Sequence, residues 1–230
     1  MARLARIVVP GLVHHVTQRG NHRQTVFLQD NDRQVYQDLL REYTRFYSVH
    51  LAGYCLMGNH VHLACIPECK DSLAKAIGRA HQDYSRWFQI CRCQTGHLWQ
   101  NRFFSCAVDE DRFIATLLYI ELNPVRAGLV ERPWEWNWSS ARGHISGDDP
   151  TGLLDMEYWA SRTAGIDWKR QLGEATLNRD IPNQIRTSTR CGHPWGSNAF
   201  LTALELQLGR RLQPQKQGRK HSRTPESAKA

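Results

Sequence analysis

A β-prone run from Val49 to Met57 is followed by Gly58-Asn59 and then by a second such run, His60 to Ile66. Two strands joined by two turn residues form an antiparallel hairpin, and this constrains the fold more than any other stretch. Successive side chains of a strand point to opposite faces. His60 and His62 therefore share one face, while Val61 and Leu63 take the other. Two imidazoles one repeat apart can grip a single divalent cation, and the apolar opposite face holds the strand in a core. An isolated His-x-His is weak on its own, because short polar alternation is common in half-buried strands.

The flanking sequence supplies the rest of a layered fold. Val13 to Arg19 alternates as a strand and ends at the turn signal Gly20-Asn21. Asp30-Asn31-Asp32 starts a helix in which Val35, Tyr36, Leu39, Leu40, Tyr43 and Phe46 recur at helical spacing. Asp71 or Ser72 caps a second helix through Leu73, Ile77, Ala80, Tyr84, Trp87 and Phe88. Leu98 to Val108 reads as a fourth strand, and Asp109 opens a third helix running to about Gly128. The order strand, helix, strand, strand, helix, strand, helix fits an α+β, ferredoxin-like antiparallel sheet with helices packed on it. This first domain is expected over residues 1–147.

After Val130 the texture changes. Trp134, Trp136 and Trp138 alternate, a density that suits a cover over a domain edge more than base stacking. Residues 143–152 read as a loop, 153–172 as a small helical piece and 173–195 as mostly irregular. Ser197 to Leu212 forms a last amphipathic helix, so residues 148–212 are expected to be a C-terminal helical extension. Residues 213–230 read as a basic disordered tail.

With 230 residues and 41% hydrophobic content, the chain is long enough for one sizeable domain and an appendage. No apolar run reaches the roughly 18 residues a membrane span needs. Ile7-Val8-Val9 is too short for a signal-peptide core, so a cytoplasmic location is expected. A formal net charge of +8 suits a polyanionic partner, although a simply basic protein carries the same signature. The seven cysteines are odd in number and form no Cys-x-x-Cys pairs, which favours reduced, structural thiols. A zinc cluster of His81, Cys91, Cys93 and His97 is the weaker alternative.

On the third helix, Phe113, Ile114, Leu117, Leu118 and Glu121 cluster in one arc, whose aliphatic members should face the core. Tyr119 and Asn123 fall nearly opposite, stacked four residues apart. Spacing alone reads as a surface tyrosine beside a helix-ending asparagine, since Pro124 follows. Joined to the histidine pair, the same residues make a reaction possible. A cation held by two neutral imidazoles and a side-chain oxygen can polarise a phosphodiester. A phenol one turn from the third ligand is placed to attack phosphorus, yielding a phosphotyrosine and a free 3′-hydroxyl.

Gly58-Asn59-His60-Val61-His62-Leu63 resembles the histidine–hydrophobe–histidine motif of single-tyrosine HUH transposases. Leu98 to Phe103, Tyr119 to Gly128, His14 to Asn21 and Trp138-Ser139-Ser140 are similar to the branch associated with repetitive extragenic palindromes (REP). The resemblance spans roughly residues 4–147. It implies an HUH nuclease fold, with His60, His62 and Asn123 as metal ligands and Tyr119 as nucleophile. The insertion-sequence branch usually carries glutamine at the position of Asn123. The expected ion is Mg²⁺ or Mn²⁺. The expected substrate is single-stranded DNA folded into an imperfect hairpin beside a short guide sequence, handled by a bacterial, nucleoid-associated protein for which a monomer is favoured over a homodimer.

Candidate DNA contacts are Arg19, Asn21 and Arg23 after the first strand, where a simple solvated turn is the equal alternative, Arg102 on the fourth strand, and Arg126 just past Pro124. For Arg102 and Arg126 a structural ion pair competes with a phosphate contact. Arg210, Arg211, Lys216, Arg219 and Lys220 form a basic C-terminal arm. Two competing functions remain at this stage. One is a catalytically silent DNA-binding protein on the same fold; the other is a metal-dependent phosphodiesterase using water as nucleophile.

Overall fold

The structure, a computed structural model, describes residues 6–175 and 181–212. Four strands, β1 (His14–Arg19), β2 (Val49–Met57), β3 (His60–Pro67) and β4 (Phe104–Ala107), form one antiparallel sheet in the order β2-β3-β1-β4. Between them run α1 (Asp30–Phe46) and α2 (Ser72–Arg92). The strand order and crossovers are those of the ferredoxin-like arrangement expected from the sequence.

The pleat separates two cores. Val16, Leu56, Val61, Leu63 and Cys65 pack with Tyr36 and Leu40 of α1 and Ile77 and Tyr84 of α2. Asp32 ties these helices together: its carboxylate accepts from the Leu28 and Gln29 amides and pairs with Arg92 at the far end of α2. The opposite sheet face, with Cys55, Ala64 and Cys106, packs against α3 (Phe113–Glu121) through Leu117 and Ile120. Beyond α5 (Ala141–Ser146) and α6 (Met156–Thr163), Trp168 and Leu172 of α7 (Trp168–Ala175) and Ile185 of α8 (Ile181–Cys191) close the same core.

The hairpin is present as expected, with Met57 opposite His60 across the two-residue turn. The Gly58 carbonyl accepts from the Val26 and Phe27 amides, and the Asn59 carbonyl from that of Gly20. The turn is thus anchored by the loop after β1. The tryptophan segment covers the β2 edge, as expected. Leu56 N–H donates to the Trp138 carbonyl and Ser140 N–H to that of Tyr54, so this edge strand has few unpaired amides.

Several local expectations need correction. The fourth strand is only Phe104–Ala107. From the Thr17–Phe104 pair to the Gly20–Trp99 bridge, the β1 side advances three residues and its partner five, so two residues bulge out. The Gln18 side chain fills the bulge, donating to the Asn101 carbonyl. Consequently Arg102 is not a buried strand residue; it is exposed in the loop before β4.

The third helix does not run unbroken to Gly128. It ends at Glu121, and a short turn, α4 (Asn123–Arg126), follows. Pro124 lacks the N–H that would bond the Ile120 carbonyl. Asn123 Nδ2 donates to that orphaned carbonyl at 3.1 Å and to the Tyr119 carbonyl at 2.9 Å.

Finally, residues 181–191 are helical rather than irregular. Ile185 and Thr189 are buried on one side of α8, while Arg186 and Arg190 are exposed on the other. The last helix, α9 (Asn198–Leu208), is shorter than expected; Ser197 caps it by accepting from the Phe200 amide.

Candidate active site

The register of the sheet brings the site together. Arg19 pairs with His60 and Thr17 with His62, so both histidines and the end of β1 lie on the face covered by α3. Their ring centroids are 5.0 Å apart, with planes at 82°. Tyr119 is not a surface residue: it is 4% exposed and meets His62 edge-on at 5.5 Å and His15 edge-on at 5.4 Å. These groups line a cleft of about 690 Å³ together with His60, Asn123, Arg19 and Arg23.

The second atoms of each side chain are already engaged. His60 Nδ1 is hydrogen-bonded to Asn59 Oδ1 at 2.7 Å, and His62 Nδ1 to His15 Nε2 at 2.9 Å. Neither Nε2 has a hydrogen-bond partner among the described residues. The Asn123 amide group is pinned by two carbonyls, which turns its Oδ1 away from them. Two imidazole nitrogens and one carboxamide oxygen are thus left unengaged at one cleft, a donor set that fits a small divalent cation. Among the described residues, no group of three or more His, Cys, Asp and Glu side chains could hold a metal. A site here therefore needs the carboxamide.

Burial keeps these imidazoles neutral. Desolvation, with Arg19 and Arg186 nearby, lowers His60 to about 4. Desolvation holds His62 well below its ordinary value, helped by His60 and His15, and lowers His15 to about 3. Neutral rings are the form that binds metal. Around them the field is positive. Arg19 is depressed first by partial desolvation and then by Arg23, Arg186 and Arg190. Guanidiniums do not shed their proton, so this crowding favours an anion in the cleft.

A scan of family models matches residues 8–123 to the family described as "Transposase IS200 like". The chain belongs to the IS200-like transposase family. A Haemophilus influenzae protein classed as a REP-associated tyrosine transposase is 28% identical over 163 residues, covering 61% of this chain and 93% of that protein. Among solved structures, a REP-associated tyrosine transposase bound to a REP hairpin aligns with TM-score 0.55 and 19% identity, over 68% of this chain and 90% of that one. That structural likeness shows a shared fold.

The other sequence candidates are spread around this IS200-like site. Arg19 and Arg23 reach the cleft, whereas Asn21 does not line it; its backbone N–H donates to the Leu98 carbonyl. Arg126 donates to the Tyr119 carbonyl and lies 4.6 Å from the Tyr119 ring centroid. Arg102 faces a separate groove beside α2. Arg210 and Arg211 follow α9 and do not line the cleft. Lys216, Arg219 and Lys220 lie outside the described residues.

Sequence reasoning missed His15, Thr189, Arg186 and Arg190, all of which line the cleft. The Arg186–Arg190 spacing of four was the available signal, but it sat in a stretch read as irregular. His15 alternates with Thr17 on the histidine face of the sheet, which the register alone could have shown.

Proposed function

We propose that the chain cleaves and rejoins single-stranded DNA carrying a REP-like hairpin through a covalent 5′-phosphotyrosine formed at Tyr119. The observation that carries this reading is the contact of Tyr119 with His62 in the cleft that also holds His60 and Asn123. His60, His62 and Asn123 would hold Mg²⁺ or Mn²⁺, which when bound supplies Lewis-acid polarisation of the scissile phosphate. Tyr119 Oη attacks phosphorus, the bond to the 3′-oxygen breaks, and the phenolic proton is lost to solvent while the leaving oxygen gains one. The phosphodiester is conserved as a tyrosine ester, so attack by another 3′-hydroxyl reverses the step without ATP.

Arg19, Arg23, Arg186 and Arg190 would bind the backbone entering the cleft, with Arg126 steadying the tyrosine from its other side. Asn21, Arg102, Arg210, Arg211, Lys216, Arg219 and Lys220 would contact DNA farther out. In this scheme residues 1–147 form the catalytic domain, 148–212 its extension and 213–230 a DNA-binding tail. The contact of Tyr119 with His62 of the same chain supports use of the tyrosine in cis, and the protein would act as a monomer. A bacterial cytoplasmic, nucleoid-associated setting follows from the substrate. Among the described residues, no helix is long and apolar enough to cross a membrane.

The test is a labelled hairpin oligonucleotide with single-stranded flanks, incubated with Mn²⁺ or Mg²⁺ and run on a denaturing gel. The wild type should give a protein-linked DNA band that Tyr119→Phe abolishes. Cleavage that persists in Tyr119→Phe would mean that water is the nucleophile. Binding without any cleavage by the wild type would mean a silent DNA-binding protein.

A further inference from the structure

His15 is buried, touches both His62 and Tyr119, and has no part in the reaction described above. Its two nitrogens are both in use. Nδ1 lies 2.7 Å from Thr189 Oγ1, and Nε2 lies 2.9 Å from His62 Nδ1.

The proton positions in this chain follow from counting donors. Thr189 has one hydroxyl proton, donated to the Ile185 carbonyl at 2.7 Å. Toward His15 the hydroxyl can then only accept, so His15 carries its proton on Nδ1. The Cys106 thiol, 3.2 Å from the same oxygen, is likewise left as the donor. His15 is 1% exposed and no carboxylate contacts it among the described residues, so the ring is neutral and its Nε2 bears a lone pair. His62 Nδ1–H must donate to that lone pair. The remaining nitrogen of His62, Nε2, is then deprotonated and open.

The neighbouring histidine obeys the same rule by a different route. Asn59 Nδ2 donates to the Arg23 carbonyl at 3.2 Å, which turns Asn59 Oδ1 toward His60 as an acceptor. His60 therefore also carries its proton on Nδ1. Two unrelated anchors impose one tautomer on both rings, the tautomer that leaves both Nε2 atoms as ligands.

We propose that Thr189 and His15 form a tautomer relay through which α8 presets His62 Nε2 as a metal-binding lone pair. This rests on the metal role proposed for His62. Both are positioning residues: each acts through the ring in front of it. Partners of this kind behind a ligand histidine typically change metal affinity by about 10–100-fold. Replacing Thr189 by valine keeps the shape and removes the acceptor. His15 is then free to move its proton to Nε2, which obliges His62 to accept at Nδ1 and to close Nε2 with a proton.

The experiment uses the full-length protein labelled with ¹⁵N-histidine, free of metal. Long-range ¹H–¹⁵N correlation spectra should show His62 protonated at Nδ1 in the wild type and shifted toward Nε2 protonation in Thr189→Val. Mn²⁺ titration followed by electron paramagnetic resonance should show affinity about tenfold or more weaker in Thr189→Val and His15→Phe. His15→Gln, whose carbonyl can accept from His62, should recover part of the loss, and thermal melting checks that each variant is folded. A wild-type His62 protonated mainly at Nε2 overturns the relay, as does Mn²⁺ affinity in folded Thr189→Val within about twofold of a wild type that binds. A wild type that binds no Mn²⁺ fails the proposed function instead, and the tautomer spectrum then decides the relay. Should the variants not fold, the wild-type spectrum decides it alone.

Discussion

Arg186 and Arg190 are four residues apart on α8 and point into the cleft beside Arg19 and Arg23. Among the described residues neither forms an ion pair, and both are exposed. If they bind DNA phosphates, replacing both by alanine removes two neutralising charges from the complex. For single-stranded DNA each phosphate contact contributes about 0.7 to the slope of log K against log salt. The double variant should therefore flatten the slope by about 1.4 and, at 0.1 M salt, weaken binding by roughly 25-fold. The assay is fluorescence anisotropy of a labelled hairpin with a single-stranded flank, titrated in EDTA between 50 and 200 mM salt to keep cleavage out. A slope equal to that of the wild type would refute the placement of these arginines on the DNA path, whatever happened to the affinity. A drop in affinity with the slope intact would mean that the substitutions damaged the fold of α8.

Two further outcomes concern stability. His14 is buried and lowered to about 4, first by desolvation; His81, buried against Tyr36, is lowered to about 3 by the same cause. Both bind a proton more readily when unfolded, so their contribution is fully present above pH 6.5 and is lost as the pH falls toward the folded values. Each should cost about 2 kcal/mol between pH 7 and pH 5, measured by urea unfolding; a flat profile across that window would contradict their neutral burial. Glu121, fully buried, accepts from Ser140 Oγ at 2.6 Å, His144 Nδ1 at 2.5 Å and Trp168 Nε1 at 2.8 Å. Ser140 Oγ can fall back on the Tyr54 carbonyl, but Glu121→Ala leaves the buried His144 and Trp168 donors unpaired and should destabilise the fold by about 3–5 kcal/mol, which an unchanged urea midpoint would rule out.

The parts of the molecule legible in the sequence are those in which local chemistry and tertiary packing agree. The alternation of Val61 and Leu63 with the two histidines fixed the hairpin register, because a one-residue slip would bury both imidazoles in the α1–α2 core. Helices α1 and α2 were legible through aromatic and aliphatic residues at helical spacing. The fourth strand was overcalled because Leu98, Trp99 and Phe103 are β-prone, although the two-residue bulge breaks its register. Tyr119 looked solvent-facing because its helix has core-forming residues on the opposite arc. What buries it is the sheet face carrying His15 and His62, with α8 alongside, and α8 has few aliphatic residues to announce itself. Its buried side is held by Ile185 and by the Thr189 hydroxyl, whose partners lie more than 80 residues away at His15 and Cys106. A polar contact of that separation leaves no periodic trace.

The same contact explains how a helix with so few aliphatic residues can be positioned firmly. Thr189 Oγ1 bonds its own helix carbonyl, the buried His15 ring and the Cys106 thiol, which ties α8 to β1 and β4 in the rotation observed. In that rotation Arg186 and Arg190 point into the cleft. The docking that, through His15, orients the imidazole proposed to hold the metal therefore also sets the cationic rim. On the reading proposed here, loss of the Thr189 hydroxyl should weaken Mn²⁺ binding and DNA binding together, whereas Arg186→Ala should weaken only the second.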